Sequence, residues 1–107
     1  MANKHRGQVA LEVDGVAYNL RLSVNSLCDL ESILQGDLMA ALERPDIRTV
    51  RAVIWAALSP DKPGLTLEGA GEIMDAVGFV EIANKVAELV NITFPKKEGE
   101  ASTGNPQ

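Results

Sequence analysis

The chain has 107 residues, of which 46% are apolar and only 4% are aromatic. That length fits one domain, and that apolar share is typical of a globular protein with an aliphatic core. A formal net charge of −5 argues against a nucleic-acid binder, because such proteins carry a basic patch. A single cysteine, Cys28, excludes an internal disulfide. No apolar run approaches the about 20 residues that span a bilayer, so we expect a soluble, cytoplasmic protein without a membrane partner.

The N-terminal part of the chain predicts a β-hairpin. Apolar and polar residues alternate along 8–14 and again along 16–22, which is the period of a half-buried strand. Asp14 and Gly15 between them are a strong signal for a two-residue turn, since glycine tolerates the positive φ that such turns need. One face of both strands is apolar. Because an isolated hairpin is marginally stable in water, we expect helices to cover that face.

Helical spacing of apolar residues follows the hairpin. We predict five helices, over 25–35 or 26–35, 37–43, 47–58, 67–77 and 79–91. The predicted N-caps are Ser23 or Asn25 for the first helix, Asp46 for the third and Thr66 for the fourth. The predicted helix stops are Gly36, Pro45 and Gly78.

These elements predict an α+β domain over 8–94, with an N-terminal β-hairpin packed against four or five short α-helices. Residues 1–7 are expected to form a flexible N-terminus. Residues 95–107 are charged or small with almost nothing apolar, and they predict a disordered C-terminal tail. Such a tail either solvates the protein or folds on contact with a partner.

No catalytic, metal-binding or cofactor-binding pattern stands out in the chain. The only histidine, His5, is more than twenty positions from Cys28, and no zinc spacing, phosphate loop or dinucleotide fingerprint occurs. Cys28 falls in the first turn of the predicted first helix, a position that favours a reactive thiolate. We interpret it instead as a small, semi-buried helix residue. We therefore expect a protein that is not an enzyme and has no metal or cofactor.

One side of the predicted 47–58 helix is a candidate partner-binding surface. Trp55 lies off the apolar stripe of this helix, on the side of Arg48 and Arg51. Because Arg51 and Trp55 are four residues apart, a cation–π contact between them is available. Tryptophan and arginine are enriched in interface hot spots. The alternative is that Trp55, the only tryptophan, fills the edge of the core against the hairpin.

The last predicted helix has an unusually wide apolar arc. A surface helix needs an apolar stripe of about 100° or somewhat more, and Val80, Ala83 and Ala87 widen it further here. One interpretation is that this helix is central and touches both the hairpin and the other helices. The other is that the edge formed by these three residues lies open as a groove for a partner helix.

Short motifs follow one another through the chain in a recognisable order. A basic N-terminus precedes the hairpin. The end of the second strand, Leu20-Arg21-Leu22, leads into the motif Asn25-x-Leu27-Cys28-x-Leu30-Glu31. Two further motifs follow, over 50–58 in the third predicted helix and over 65–75. Order and spacing together, over residues 3 to about 92, resemble the tail assembly chaperone family of gene transfer agents and related long-tailed phages. Gly69 departs from the pattern, because a charged helix former such as glutamate is expected there.

The resemblance implies a small protein encoded between the tail tube protein and the tape measure protein. Its implied function is to bind the long helical tape measure protein, keep it soluble and assist polymerisation of the tail tube. It implies no enzymatic step, and we expect a monomer or a weak homo-oligomer when the protein is alone.

Two other functions stay open at this point. A structural tail (tube) subunit of a phage-like particle is the main alternative, although tube subunits of this kind usually have a larger β-rich fold. A small regulatory helical protein is more remote, because it would need a basic recognition helix. The only basic helix face is short, and it consists of Arg44, Arg48 and Arg51.

Overall fold

The computed structural model describes residues 7–94 of the chain. Within this range, an antiparallel two-stranded sheet is followed by five helices, which confirms the predicted α+β class. The elements are β1 (Gln8–Val13), β2 (Val16–Arg21), α1 (Val24–Leu34), α2 (Leu38–Glu43), α3 (Ile47–Leu58), α4 (Leu67–Val77) and α5 (Phe79–Thr93). Apart from Gly7, the predicted flexible N-terminus 1–7 and the predicted tail 95–107 lie outside the described residues.

The hairpin has the predicted two-residue turn. Val13 pairs with Val16 across the turn. Asp14 and Gly15 have φ values of 51° and 82°, as expected where both central residues of a type I′ turn need positive φ. The predicted apolar face of the hairpin is buried away from the turn, at Val9, Leu11, Leu20 and Leu22. Val16, which also belongs to that face, lies beside the turn and is 51% exposed.

Side-chain caps fix where four of the five helices begin. Asp46 and Thr66 cap α3 and α4 as predicted, by accepting hydrogen bonds from the backbone N–H groups of Thr49 and Gly69. Ser23 rather than Asn25 caps α1, so this helix begins before the predicted start. Asp37, expected inside the second helix, is instead its cap. The first turn of α5 has no side-chain cap, and this helix follows Gly78 directly.

The end of α1 differs from the prediction. Gln35 adopts a left-handed conformation with φ of 51°, and its N–H donates to the carbonyl oxygen of Glu31. The helix therefore stops at Leu34, before the predicted end at Gln35, and the residue that ends it is Gln35 rather than Gly36. At the other end of the chain, α5 runs to Thr93, two residues beyond the predicted end at Asn91.

Helix α3 lies at the centre of the domain. It contacts α1, α4, α5 and β2, and eight of its 12 residues are buried. Three of the buried residues are alanines, whose small side chains allow close approach of the neighbouring elements. The predicted apolar stripe along α3 consists of Ile47, Val50, Ile54 and Leu58. All are buried except Ile47, which is 68% exposed. Ile47 is exposed because it is the first residue of the helix, where no other element covers its side chain fully.

Helix α5 packs on β1, α3 and α4. It therefore touches both the hairpin and other helices, as one of the two interpretations of its wide apolar arc predicted. Ile82, Val86 and Leu89 form its buried side. Within residues 7–94, no helix combines the length and the apolar character needed to cross a membrane.

Candidate partner-binding surfaces

Trp55 is half buried, and its polar atom is used inside the fold. The indole N–H donates a hydrogen bond of 2.7 Å to the carbonyl oxygen of Leu65, in the connection between α3 and α4. Among the described residues there is no cation–π contact between Trp55 and Arg51, and the pair of this kind that does occur places Lys62 over Tyr18. This geometry favours the core-edge interpretation of Trp55, with its polar tip on the α3–α4 connection rather than on the hairpin.

A groove runs between α3 and α4 and ends at the start of α5. We call it the α3/α4 groove. Its residues are Ile47, Arg48 and Arg51 from α3, Glu68, Gly71, Glu72, Met74 and Asp75 from α4, and Phe79 from α5. The two helices run antiparallel, because Trp55 lies beside Leu65 whereas Arg51, earlier in α3, lies beside Gly71, later in α4.

Arg51 lies along the floor of this groove. A Cβ atom added at Gly71 would be 3.4 Å from Arg51 Cδ, so the glycine leaves room for the stem of the arginine against α4. Arg51 Nε is buried and has no hydrogen-bond partner among the described residues. Within the same part of the chain, neither Arg51 nor Arg48 forms an ion pair. The two arginines therefore give the α3 wall of the groove a positive charge that no ion pair within residues 7–94 neutralises.

The α4 wall of the groove is acidic. Glu68, Glu72 and Asp75 are all exposed, and their spacing of four and then three residues places them on one side of the helix. Exposed apolar side chains flank the two charged walls, with Ile47 68% exposed and Phe79 46% exposed. The helical spacing in the sequence indicated the arginines. The spacing of the three carboxylates along α4 is a comparable signal for the acidic wall, which was not predicted.

A second surface is formed by the predicted edge of α5. Val80 is 74% exposed, Ala87 is exposed and Ala83 is half buried. The three residues are spaced by three and four positions, so they form one row along the helix. We call this row the α5 edge. Val80 and Ala87 are open to solvent and Ala83 is partly so, whereas Ile82 and Val86 on the other side of the helix are buried.

Cys28 differs from the prediction in both its burial and its position. It is exposed rather than semi-buried. Because α1 begins at Val24, Cys28 lies beyond the first turn of the helix, where the effect of the helix N-terminus is weaker. Within residues 7–94, no group of three or more His, Cys, Asp or Glu side chains is placed to hold a metal ion.

The chain was compared with models of known protein families, with curated proteins and with solved structures, and none of them matches it. The resemblance of its motif order to tail assembly chaperones therefore stays a prediction.

Proposed function

We propose that this protein is a non-enzymatic assembly chaperone for a phage-like tail, such as the tail of a gene transfer agent, and that it binds the tape measure protein. The order of motifs along the chain supports this family. The structural observation that carries the proposal is the α5 edge, where Val80 is 74% exposed. An open apolar row with helical spacing suits the apolar face of an amphipathic partner helix.

The proposed mechanism is reversible, non-covalent binding that shields apolar faces of the tape measure protein from water. A tape measure protein built of long amphipathic helices exposes apolar faces until the tail tube surrounds it. The α5 edge would bury part of such a face, which is favourable because apolar surface leaves water. The row presents only Val80, Ala83 and Ala87, so each chaperone molecule makes a small contact with the tape measure protein. Such a contact can be displaced when tail tube subunits polymerise.

The net charge of the chain suits this mechanism. With a formal charge of −5, chaperone molecules bound along one tape measure protein repel each other and keep the complex soluble. The α5 edge itself carries little charge, and Lys85 on the same helix is paired with Glu81 at 3.8 Å. The apolar α5 edge would therefore bind the tape measure protein, while charges elsewhere on the surface keep the complex soluble.

The test is co-expression with the tape measure protein from the same gene cluster, followed by sizing with light scattering. We expect a stable complex with the unaltered chain and its loss with Val80→Glu or Ala87→Glu, because each places a charge in the apolar row. Val24→Glu on α1 is the matched control, since Val24 is 75% exposed and the substitution is the same. The control variant should bind as the unaltered chain does.

Two results would contradict the proposal. One is a complex that survives both α5-edge variants, which would place the binding surface elsewhere. The other is no complex at all, with the free protein running as a hexamer or larger. That second result would favour a structural tail (tube) subunit, which assembles with itself rather than with the tape measure protein.

A further inference from the structure

The α3/α4 groove carries opposite charges on its two walls. Arg48 and Arg51 lie on α3, and the carboxylates of α4 lie across from them. None of these side chains forms an ion pair within the described part of the chain. A purely acidic partner would meet the carboxylates of α4, and a purely basic partner would meet the arginines of α3. An occupant that fits must present both signs, in the opposite order.

A second copy of this chain presents those signs. If a two-fold axis runs along the groove, α3 of one copy faces α4 of the other. Residues that lie at the same height along the groove in one copy then lie opposite each other across the interface. Arg51 lies at the level of Gly71, so Arg51 of one copy would face the neighbourhood of Glu72 of the other. A two-fold axis across the groove would instead stack α3 on α3 and bring like charges together, which is unfavourable.

We propose that the α3/α4 groove is the interface of a reversible homodimer, with the two-fold axis along the groove. The same patch then serves on both copies, as two-fold symmetry requires. Ile47 and Phe79, 68% and 46% exposed, would be covered in the dimer. Arg51 suits the centre of such an interface, because arginine is enriched there and its guanidinium would gain a carboxylate partner that it lacks among residues 7–94.

The proposed dimer does not depend on the proposed function. Its interface is the groove between α3 and α4, whereas the proposed tape measure surface is the row on α5 that starts at Val80. Failure of either one leaves the other standing, because they are tested with different variants and different partners.

The test uses sedimentation velocity of the full chain from micromolar to millimolar concentration, at low and high salt. We expect a concentration-dependent dimer that weakens as salt screens the charge pairs. Arg51→Glu and Glu72→Arg each place two like-charge contacts in the homodimer, so each should weaken it about tenfold or more. Glu31→Arg on α1 is the control for Glu72→Arg, because it makes the same charge change outside the groove.

Mixing the two single variants is the decisive step. In a mixed dimer, the glutamate introduced at position 51 of one copy faces the arginine introduced at position 72 of the other. The second contact joins the unaltered Glu72 of the first copy to the unaltered Arg51 of the second, so both contacts are attractive. We expect the mixture to dimerise at least as well as the unaltered chain. A protein that stays monomeric throughout the concentration range would overturn the proposal. So would a mixture that shows no recovery although far-UV circular dichroism finds both variants folded.

Discussion

The indole N–H of Trp55 donates a 2.7 Å hydrogen bond to the carbonyl oxygen of Leu65. This bond joins the last turn of α3 to the residue that precedes the cap of α4. The next residue, Thr66, accepts a hydrogen bond of 2.9 Å from the backbone N–H of Gly69. Together the two bonds fix where α4 begins and how it lies against α3. The position of both walls of the α3/α4 groove therefore depends on a side chain that first drew attention as a candidate binding residue.

Replacing Trp55 with phenylalanine tests its importance for the fold. Phenylalanine keeps an aromatic ring that is smaller than the indole, and the carbonyl oxygen of Leu65 loses its donor. We expect the free energy of unfolding to fall by about 0.5–1.5 kcal/mol from the loss of this part-buried hydrogen bond. Urea unfolding followed by far-UV circular dichroism measures it. Met39→Ala, at an exposed apolar side chain of α2, is the control and should change little. An equally small effect of Trp55→Phe would show that the hydrogen bond does not stabilise the domain.

The two glycines of α4 should respond differently to alanine. A Cβ atom at Gly71 meets only Arg51 Cδ at 3.4 Å, whereas one at Gly69 would lie 3.0 Å from Leu65 Cδ1 and 3.3 Å from Thr66 Oγ1. Gly71→Ala should therefore raise the free energy of unfolding by about 0.5–1 kcal/mol, since alanine is the better helix former. Gly69→Ala should gain less or lose stability.

Urea midpoints at equal protein concentration compare the two variants, because any self-association adds to apparent stability. A larger gain at Gly69 than at Gly71 would contradict this account. The crowding at Gly69 also gives a physical reason for a glycine at this position. A glutamate there would press on Leu65 and on the hydroxyl that caps α4.

Gln35, not Gly36, holds the left-handed position at the end of α1. Its φ is 51°, a conformation that costs a residue with a Cβ atom more than it costs glycine. We expect Gln35→Gly to stabilise the domain by about 0.5–1 kcal/mol. Gly36→Ala should be nearly neutral, because a Cβ atom at Gly36 would meet only the carbonyl oxygen of Leu34 at 3.9 Å. Thermal melts of both variants test the pair, and the reverse order of stabilities would contradict the assignment.

Asp46 should make stability depend on pH. Its pKa is lowered from 3.8, first by the hydrogen bond from the Thr49 backbone N–H and then by the Thr49 hydroxyl, with a smaller contribution from the charge of Arg48. A carboxyl whose pKa is lower in the folded state stabilises that state above its unfolded pKa. This contribution is lost as pH falls through the folded pKa.

The variant Asp46→Ser keeps a capping oxygen but does not titrate in this range. The unaltered chain should therefore lose stability relative to Asp46→Ser as pH falls below about 4, and the difference between the two should be constant near neutral pH. Urea midpoints over a pH series measure this difference. Parallel pH curves for the two proteins would show that the ionised Asp46 carboxylate adds nothing to the cap.

Local signals in the sequence were sufficient for most elements of the fold. Asp14-Gly15 defined the hairpin turn, and Asp46 and Thr66 defined the starts of α3 and α4, because each acts on backbone groups only a few residues away. The end of α1 could not be predicted in the same way. Glycine is the usual left-handed residue, but the path from Leu34 to the cap of α2 at Asp37 places Gln35 there.

The candidate surfaces were only partly predictable for a related reason. Helical spacing identified the arginines of α3 and the apolar edge of α5, since each lies on a single helix. The acidic residues of α4 form one wall of a groove only because antiparallel packing brings Gly71 beside Arg51. This packing is not visible in the sequence of α4 alone. Exposure at Ile47 also depends on which elements surround the first turn of α3, and this tertiary information is absent from the local pattern.

The central position of α3 has a consequence for how the domain opens. Helices that are enclosed by several other elements cannot unfold separately, so their amide hydrogens exchange with solvent only when the whole domain unfolds. The amides of Val53, Ile54 and Ala57, all at buried positions, should therefore be among the slowest to exchange in deuterated water. Their exchange rates would report the global stability of the protein under native conditions, without any denaturant.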